Sequence, residues 1–431
     1  MSPTAVRGAG PYDVGVHNPS GRSGIDIDRL LDRLAALAEL APVGEHGSCR
    51  LALTDADKAA RDLLCRWMED LAMEVRVDVV GNIVGVWTSG ATEPGLDPVL
   101  CGSHLDTVAT GGRYDGAYGV VAGLEVIETL AARGLRTRRP LAVAAFTNEE
   151  GARFTPDMMG SLVHVGGLTA EAALSAADED GVTVGEELAR IGYLGVWPAP
   201  ARAPYAFVEL HIEQGPVLEH EGVVIGAVTG VQGISWQELT FVGQSNHAGT
   251  TPMGLRRDPA YAAARVATFV RDLATGLGGR QVGTVGRILV HPNLVNVVPA
   301  WATMTVDLRN TDADTLVEAE RRLAVFAAEA AEAEQLEVSS RCLVRFDPVE
   351  FDPAMVDLVE ATAQRHALST LRLPSGAGHD AQMLARVCPT AMIFVPSHRG
   401  LSHNPAEHTE PAHLAAGVGV LLDVLSDLAG R

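Results

Sequence analysis

Cysteine is scarce in this chain: Cys49, Cys65, Cys101, Cys342 and Cys388 are the only five in 431 residues. The number is odd and no C-x-x-C pair occurs, so neither a disulfide framework nor a zinc ribbon is indicated. A reduced, cytoplasmic setting is the expectation. Positive charge is short as well. Against 54 Asp and Glu stand 33 Lys and Arg, a formal net charge of -21. That balance argues against nucleic acid or an anionic membrane surface as a partner. No run reads as long and apolar enough to cross a bilayer. Residues 1–24 are rich in Gly, Ser and Pro without an apolar core, and read as a loose terminal arm, not a signal peptide. There are no internal repeats.

What is present is apolar mass, 47% of the chain, enough for a large core and two domains. Residues 26–40 carry apolar side chains at helical spacing. Thr54 is placed to cap a second helix through about residue 74. VRVDVVGNIVGVW reads as a hairpin with Gly81-Asn82 at its turn. PVLCGSH, LAVAAFTN and AFVELH read as buried strands alternating with helices, which predicts an α/β domain around a mostly parallel, mixed sheet flanked by helices. From about Val223 the pattern changes. GVVIGAVTG and ISWQELTFVG read as adjacent strands, followed in order by a helix, two strands and a long helix. That order predicts a smaller α+β domain over 226–343, inserted into a larger one formed by 25–225 and 344–431.

Five residues in distinctive settings are candidate metal ligands: His104 in GSHLDT, Asp115 in GGRYDG, Glu150 in FTNEEGARF, His211 in ELHIEQG and His403 in GLSHNP. His104, Glu150, His211 and His403 each follow or end an apolar strand, and ligands bind at the C-terminal edge of open α/β sheets. Two histidine–carboxylate sets sharing one carboxylate hold two divalent ions, which activate water and polarise a carbonyl together. Asp106 is placed to accept a hydrogen bond from the His104 imidazole. Asp115 reads equally as a helix N-cap. Glu149 and Glu150 are adjacent, so their side chains diverge; one can bind metal while the other serves as general base. His17, His46, His164, His220, His291, His366 and His413 read as surface or satisfied core residues, and His398 and His408 as loop histidines.

These motifs, together with NHAGTTPM, NVVP, SGAGHDA and SHNPAEHT in the same order, resemble the amidase/hydantoinase–carbamoylase family of dinuclear metallopeptidase-like amidohydrolases. The resemblance runs from about residue 80 to 410. It implies one metal on His104 and His211, another on Glu150 and His403, and Asp115 bridging, with Zn, Mn, Co or Ni as the ions. It makes Glu149 the general acid/base. It implies His247 as oxyanion donor, Asn296 and Gln214 as substrate contacts and Arg309 as the clamp for a substrate carboxylate. Asp106, His379 and Asp380 would support the ligands from behind. It also implies a homodimer through the inserted domain, and the apolar strand ISWQELTFVG itself reads as a sheet edge open to pairing. Without the resemblance, His247 reads as a loop residue and Arg309 as an ion pair with Asp307 or Asp312.

The function expected is metal-dependent hydrolysis of a linear amide or ureido C–N bond in a small N-substituted amino acid. An N-carbamoyl-L-amino acid would give the free amino acid, ammonia and carbon dioxide. An N-acyl amino acid or dipeptide on the same site is the alternative, with Met158-Met159 lining a roomier pocket. A non-catalytic metal-dependent binding protein would be expected to have lost a ligand or the base.

Overall fold

Strands buried at every position need cover on both faces. Val99–His104, Leu141–Phe146, Ala206–Ile212 and Thr390–Val395 are buried along their whole length. In the computed structural model, which describes residues 24–430, these four lie side by side and parallel at the centre of a nine-stranded sheet. Across the sheet the order is Val349–Glu350, Ile225–Val231, Thr390–Val395, Ala206–Ile212, Val99–His104, Leu141–Phe146, Ile83–Trp87 and Glu74–Val77, with Thr370–Ser375 also paired to Ile225–Val231. The pairings outside the central four are antiparallel apart from that last one. The sheet is therefore mixed, with its parallel part where the motifs are. Residues 1–23 of the expected arm lie outside the described residues.

Helix Ala117–Ala132 follows the GGRYDG turn and packs on the central strands beside Pro411–Ala429. Thr54 caps Asp55–Asp70 by accepting from the Asp57 N–H. Pro411–Ala429 corrects one expectation. Its mean hydropathy of 1.5 over 18 residues meets the length and composition of a membrane span. It packs instead against Ala117–Ala132 and strands Ala206–Ile212 and Thr390–Val395, with its apolar side chains in the core.

A second sheet of four antiparallel strands runs Val282–His291, Trp301–Asn310, Gly233–Val242, Glu337–Phe346. Helices Pro259–Leu277 and Ala313–Ala333 pack on it around Leu239, Phe241, Val266, Met304, Leu308 and Leu323, a core separate from that of the larger sheet. Two expectations change here. Ile225–Val231 is not a neighbour of Gly233–Val242 but joins the larger sheet; it is buried at six of its seven positions and needs cover on both faces. Gly233–Val242 is not an edge, because it pairs on both sides. The edges are Val282–His291 and Glu337–Phe346.

Candidate active site

Four parallel strands that point the same way bring their C-terminal ends to one edge. His104 closes its strand, Glu149 and Glu150 follow Phe146, His211 precedes Ile212, and the chain from Val395 leads to His403. Their side chains meet at Asp115. Asp115 Oδ1 lies 3.2 Å from His211 Nε2 and 3.7 Å from His104 Nε2, and its Oδ2 lies 3.5 Å from His403 Nε2. Glu150 Oε2 is 3.2 Å from His403 Nε2, and Glu149 Oε2 is 3.4 Å from His104 Nε2. His104, Asp115 and His211 form one group able to hold a cation; Asp115, Glu150 and His403 form a second. Glu209, His211 and His379 form a third behind them.

The backbone aims these side chains. The His104 Nδ1–H donates to the Asp106 carbonyl at 2.9 Å and the His211 Nδ1–H to the Ile212 carbonyl at 2.8 Å. Both rings then present Nε2 toward Asp115, and the Gly116 N–H points at that of His211. This corrects the expected role of the Asp106 carboxylate. Its oxygens accept instead from the Glu149 and Glu150 N–H groups at 3.3 Å, fixing the turn that carries both glutamates. Nor is Asp115 a helix cap. That place is Gly116, at φ +62°, where a Cβ would come within 2.4 Å of the His104 ring. Asn148, Gln214 and His403 are also held at positive φ, a conformation that costs energy and clusters at functional sites.

Charge is concentrated here. Burial opposes protonation of His104, but the Asp106, Glu150 and Asp115 carboxylates outweigh it and raise its pKa. His211 is likewise lifted to about 9 against burial, by its hydrogen bond and charge pairing with Asp115. His403 is lifted to about 9 by its bond to Glu150. Despite burial, Asp115 is held well below the usual carboxylate range by His211, His104 and His403. Glu149 is pushed well above it by burial and by Asp380, Glu150 and Asp106. Among the described residues, the buried Glu150 Oε1 and Gln214 Oε1 have no hydrogen-bond partner. Converging carboxylates, imidazole lone pairs and orphaned acceptors are what a divalent cation satisfies, so the residues fit bound metal.

Of the other candidates, Gln214 joins the cluster by donating from Nε2 to Asp115 Oδ2 at 2.9 Å. His379 packs edge-on to His211 with ring centroids 4.6 Å apart, its Nε2 on Ser375 Oγ and its Nδ1 without a partner among the described residues. Asp380 is fully buried beside Ser161. His247 and Asn296 come together on the smaller sheet's side, where Asn246–His247 pairs with Val297–Val298. Both are exposed and bond to nothing in the cluster. Arg309 is likewise apart. It forks onto Asp307 and donates to the Gly376 carbonyl, the ion pair its sequence neighbours suggest.

Sequence reasoning missed Glu407, Ser402 and Glu209. Glu407 Oε1 accepts from the Tyr114 and Asp115 N–H groups, and Ser402 Oγ bridges Asp115 Oδ2 and Glu407 Oε2. Glu209 accepts from Ser103 Oγ at 2.6 Å and from the Ala381 N–H. A carboxylate inside the apolar run AFVELHI was the available signal for Glu209.

The sequence profile of peptidase family M20/M25/M40 matches residues 100–427. An N-carbamoyl-L-amino-acid amidohydrolase of Rhizobium meliloti is 40% identical over 95% of this chain and 98% of its own length. An allantoate amidohydrolase of Escherichia coli is 38% identical over 83% and 87%. A hydantoinase/carbamoylase-family amidase from Burkholderia multivorans, known from its crystal structure, superposes with a TM-score of 0.91 at 44% identity, covering 94% of this chain and 98% of that one. Enzymes of this family are metal-dependent. The chain belongs to the peptidase family M20/M25/M40 and, within it, to the hydantoinase/carbamoylase amidases.

Proposed function

We propose that this chain hydrolyses the ureido C–N bond of N-carbamoyl-L-amino acids, releasing the amino acid, ammonia and carbon dioxide. The observation that carries the reading is the complete cluster around Asp115, present in a chain so similar in sequence to a carbamoyl amino acid amidohydrolase over nearly its full length. His104 and His211 would hold one divalent ion and Glu150 and His403 another, with Asp115 shared; Zn, Mn, Co and Ni all suit these nitrogen and oxygen donors. The ions would polarise the ureido carbonyl and acidify water, which matters because two nitrogens donate into that carbonyl.

Glu149 is the general base. Its carboxylate is buried 3.4 Å from His104, and burial with the Asp380 and Glu150 charges raises its proton affinity, as proton relay requires. It takes a proton from water and returns it to the departing nitrogen. Gln214 orients Asp115. The smaller sheet would bring His247 to the developing oxyanion and Arg309 and Asn296 to the substrate carboxylate and its neighbours. Because Arg309 is forked onto Asp307, a substrate carboxylate competes with Asp307 for it. A homodimer in the cytoplasm, built through the smaller sheet, completes the reading; the exposed edge Val282–His291, with Ile288 and Leu289 outward, supports the pairing surface.

N-acyl amino acids are the second reading, and Met158 and Met159 bear on it. Both are buried, and the Met158 N–H donates to the Glu149 carbonyl at 2.7 Å. They brace the glutamate turn, which favours the smaller carbamoyl group. The test is a panel of N-carbamoyl, N-acetyl and N-benzoyl L-amino acids with metal-reconstituted enzyme. Highest kcat/KM on the carbamoyl series is expected; a preference for acyl substrates overturns the reading.

A further inference from the structure

A second cavity lies on the larger sheet away from the Asp115 cluster. It has a volume of about 420 Å³, within the range of small-molecule sites. Its floor is Val84, Val86, Leu100 and Ala142 on three adjacent strands, and its roof is the proline-rich loop with Trp197, Pro198 and Pro200. Leu100 and His104 are four residues apart on one strand, so the cavity sits about 13 Å down the sheet from the cluster, at roughly 3.3 Å per residue.

The charged groups at its rim are already paired. Arg76 forks onto Glu74, Arg202 onto Asp97, and Asp78 accepts from the Val80 and Asn82 N–H groups and from Asn82 Nδ2. An anion entering here has to displace Glu74 or Asp97 from its arginine, whereas a neutral ligand leaves these pairs intact. One polar group is left over. His164, 7% exposed at the end of helix Met159–His164, packs edge-on to Phe146, and its ring makes no hydrogen bond to any described residue. Its sequence setting suggested a surface or satisfied core histidine; its ring is largely covered, finds no partner among the described residues, and lines this cavity. Burial pushes the imidazole pKa down to about 4, so near pH 7 it is neutral and offers one donor and one acceptor.

We propose that this cavity is a second small-molecule site, taking an uncharged molecule with an apolar body of single-ring or two-ring size and one hydrogen-bonding group that pairs with His164. The apolar floor removes the ligand's ring from water, Trp197 and the prolines close over it, and His164 supplies the single directional contact. A hydroxyl held in the cavity gives the imidazole a partner that none of the described residues provides.

Phenol and benzoate are the probes, with the full-length protein and isothermal titration calorimetry. Phenol should bind saturably at one site, undisplaced by N-carbamoyl amino acid, and benzoate should not bind there. His164→Phe should weaken phenol about tenfold, the loss expected for one hydrogen bond. Val84→Phe, which fills the floor, should abolish binding. Turnover without phenol should be unchanged in both variants, and thermal melting checks that each is folded. No saturation at millimolar phenol, equal binding of benzoate, displacement by the amino-acid substrate, or unchanged phenol affinity in either folded variant would overturn the proposal.

Discussion

Glu407 holds Asp115 from beneath. Its Oε1 receives two backbone N–H groups, and Ser402 links its Oε2 to the Asp115 carboxylate. Burial and the nearby Asp115 charge lift its pKa to about 7. Removing such support from a metal site costs about 10–100-fold in metal affinity or activity. Glu407→Ala is therefore expected to lower metal affinity by that factor with Glu149 untouched, as measured by competition with a chelating dye. Glu149→Gln should do the opposite: metal content stays at the wild-type level while kcat drops by roughly 10²–10⁴-fold, the usual contribution of a general base. Wild-type turnover in that variant would remove Glu149 from the chemistry. Arg309→Ala should raise KM for substrates with a free carboxylate by about one to two orders of magnitude and leave their amides unaffected. An equal loss on both would make Arg309 a purely structural partner of Asp307.

At the scale of elements, the turn after each central strand decides what its side chains reach. Gly116→Ala places a methyl group against the His104 ring and forces a positive φ on a residue that resists it. Lower thermal stability and weaker metal binding are expected together. The glutamate turn is braced further out by Arg153, which pairs with Glu187 and Asp178. Hydrogen bonds from Arg190 and Arg153 hold the Glu187 carboxyl down to about 2. A carboxylate whose folded pKa is depressed stabilises the fold above its unfolded pKa and loses that contribution as pH falls through the folded one. Glu187→Gln should thus melt below wild type at neutral pH, and the gap should close as pH drops from about 4.5 toward 2. Much of this was legible in the sequence, because a histidine or glutamate directly after a fully apolar strand leaves few places for its side chain to go. Glu407 was not legible: its partners lie 293 and 292 residues away and are backbone groups with no sequence signature. Nor could local pattern say which sheet Ile225–Val231 would join, since apolar content reports burial and not the neighbour that provides it.

For the whole molecule, the cluster is unevenly covered. His104 and His211 side chains are at most 2% exposed, while that of His403 is 51% exposed. Chelation is expected to abolish turnover, with metal lost in two kinetic stages and activity restored by Zn²⁺, Mn²⁺, Co²⁺ or Ni²⁺. A metal-free preparation with full turnover would refute this. Leu289→Arg on the open edge strand should convert a dimer to a monomer by light scattering; a wild-type monomer would exclude pairing there. The two sheets are joined by two crossings, Gln232 between Val231 and Gly233, and Asp347-Pro348 between Phe346 and Val349. These touch, since a Cβ on Gly233 would lie 2.7 Å from the Pro348 Cδ. Two tethers side by side behave as a pin, not a ball joint. A swing of the smaller sheet about that pin would also have to break the Arg309 bond to the Gly376 carbonyl. His247, Asn296 and Arg309 all lie on the smaller sheet's side of that pin, so a swing about it would carry all three toward or away from Asp115 together.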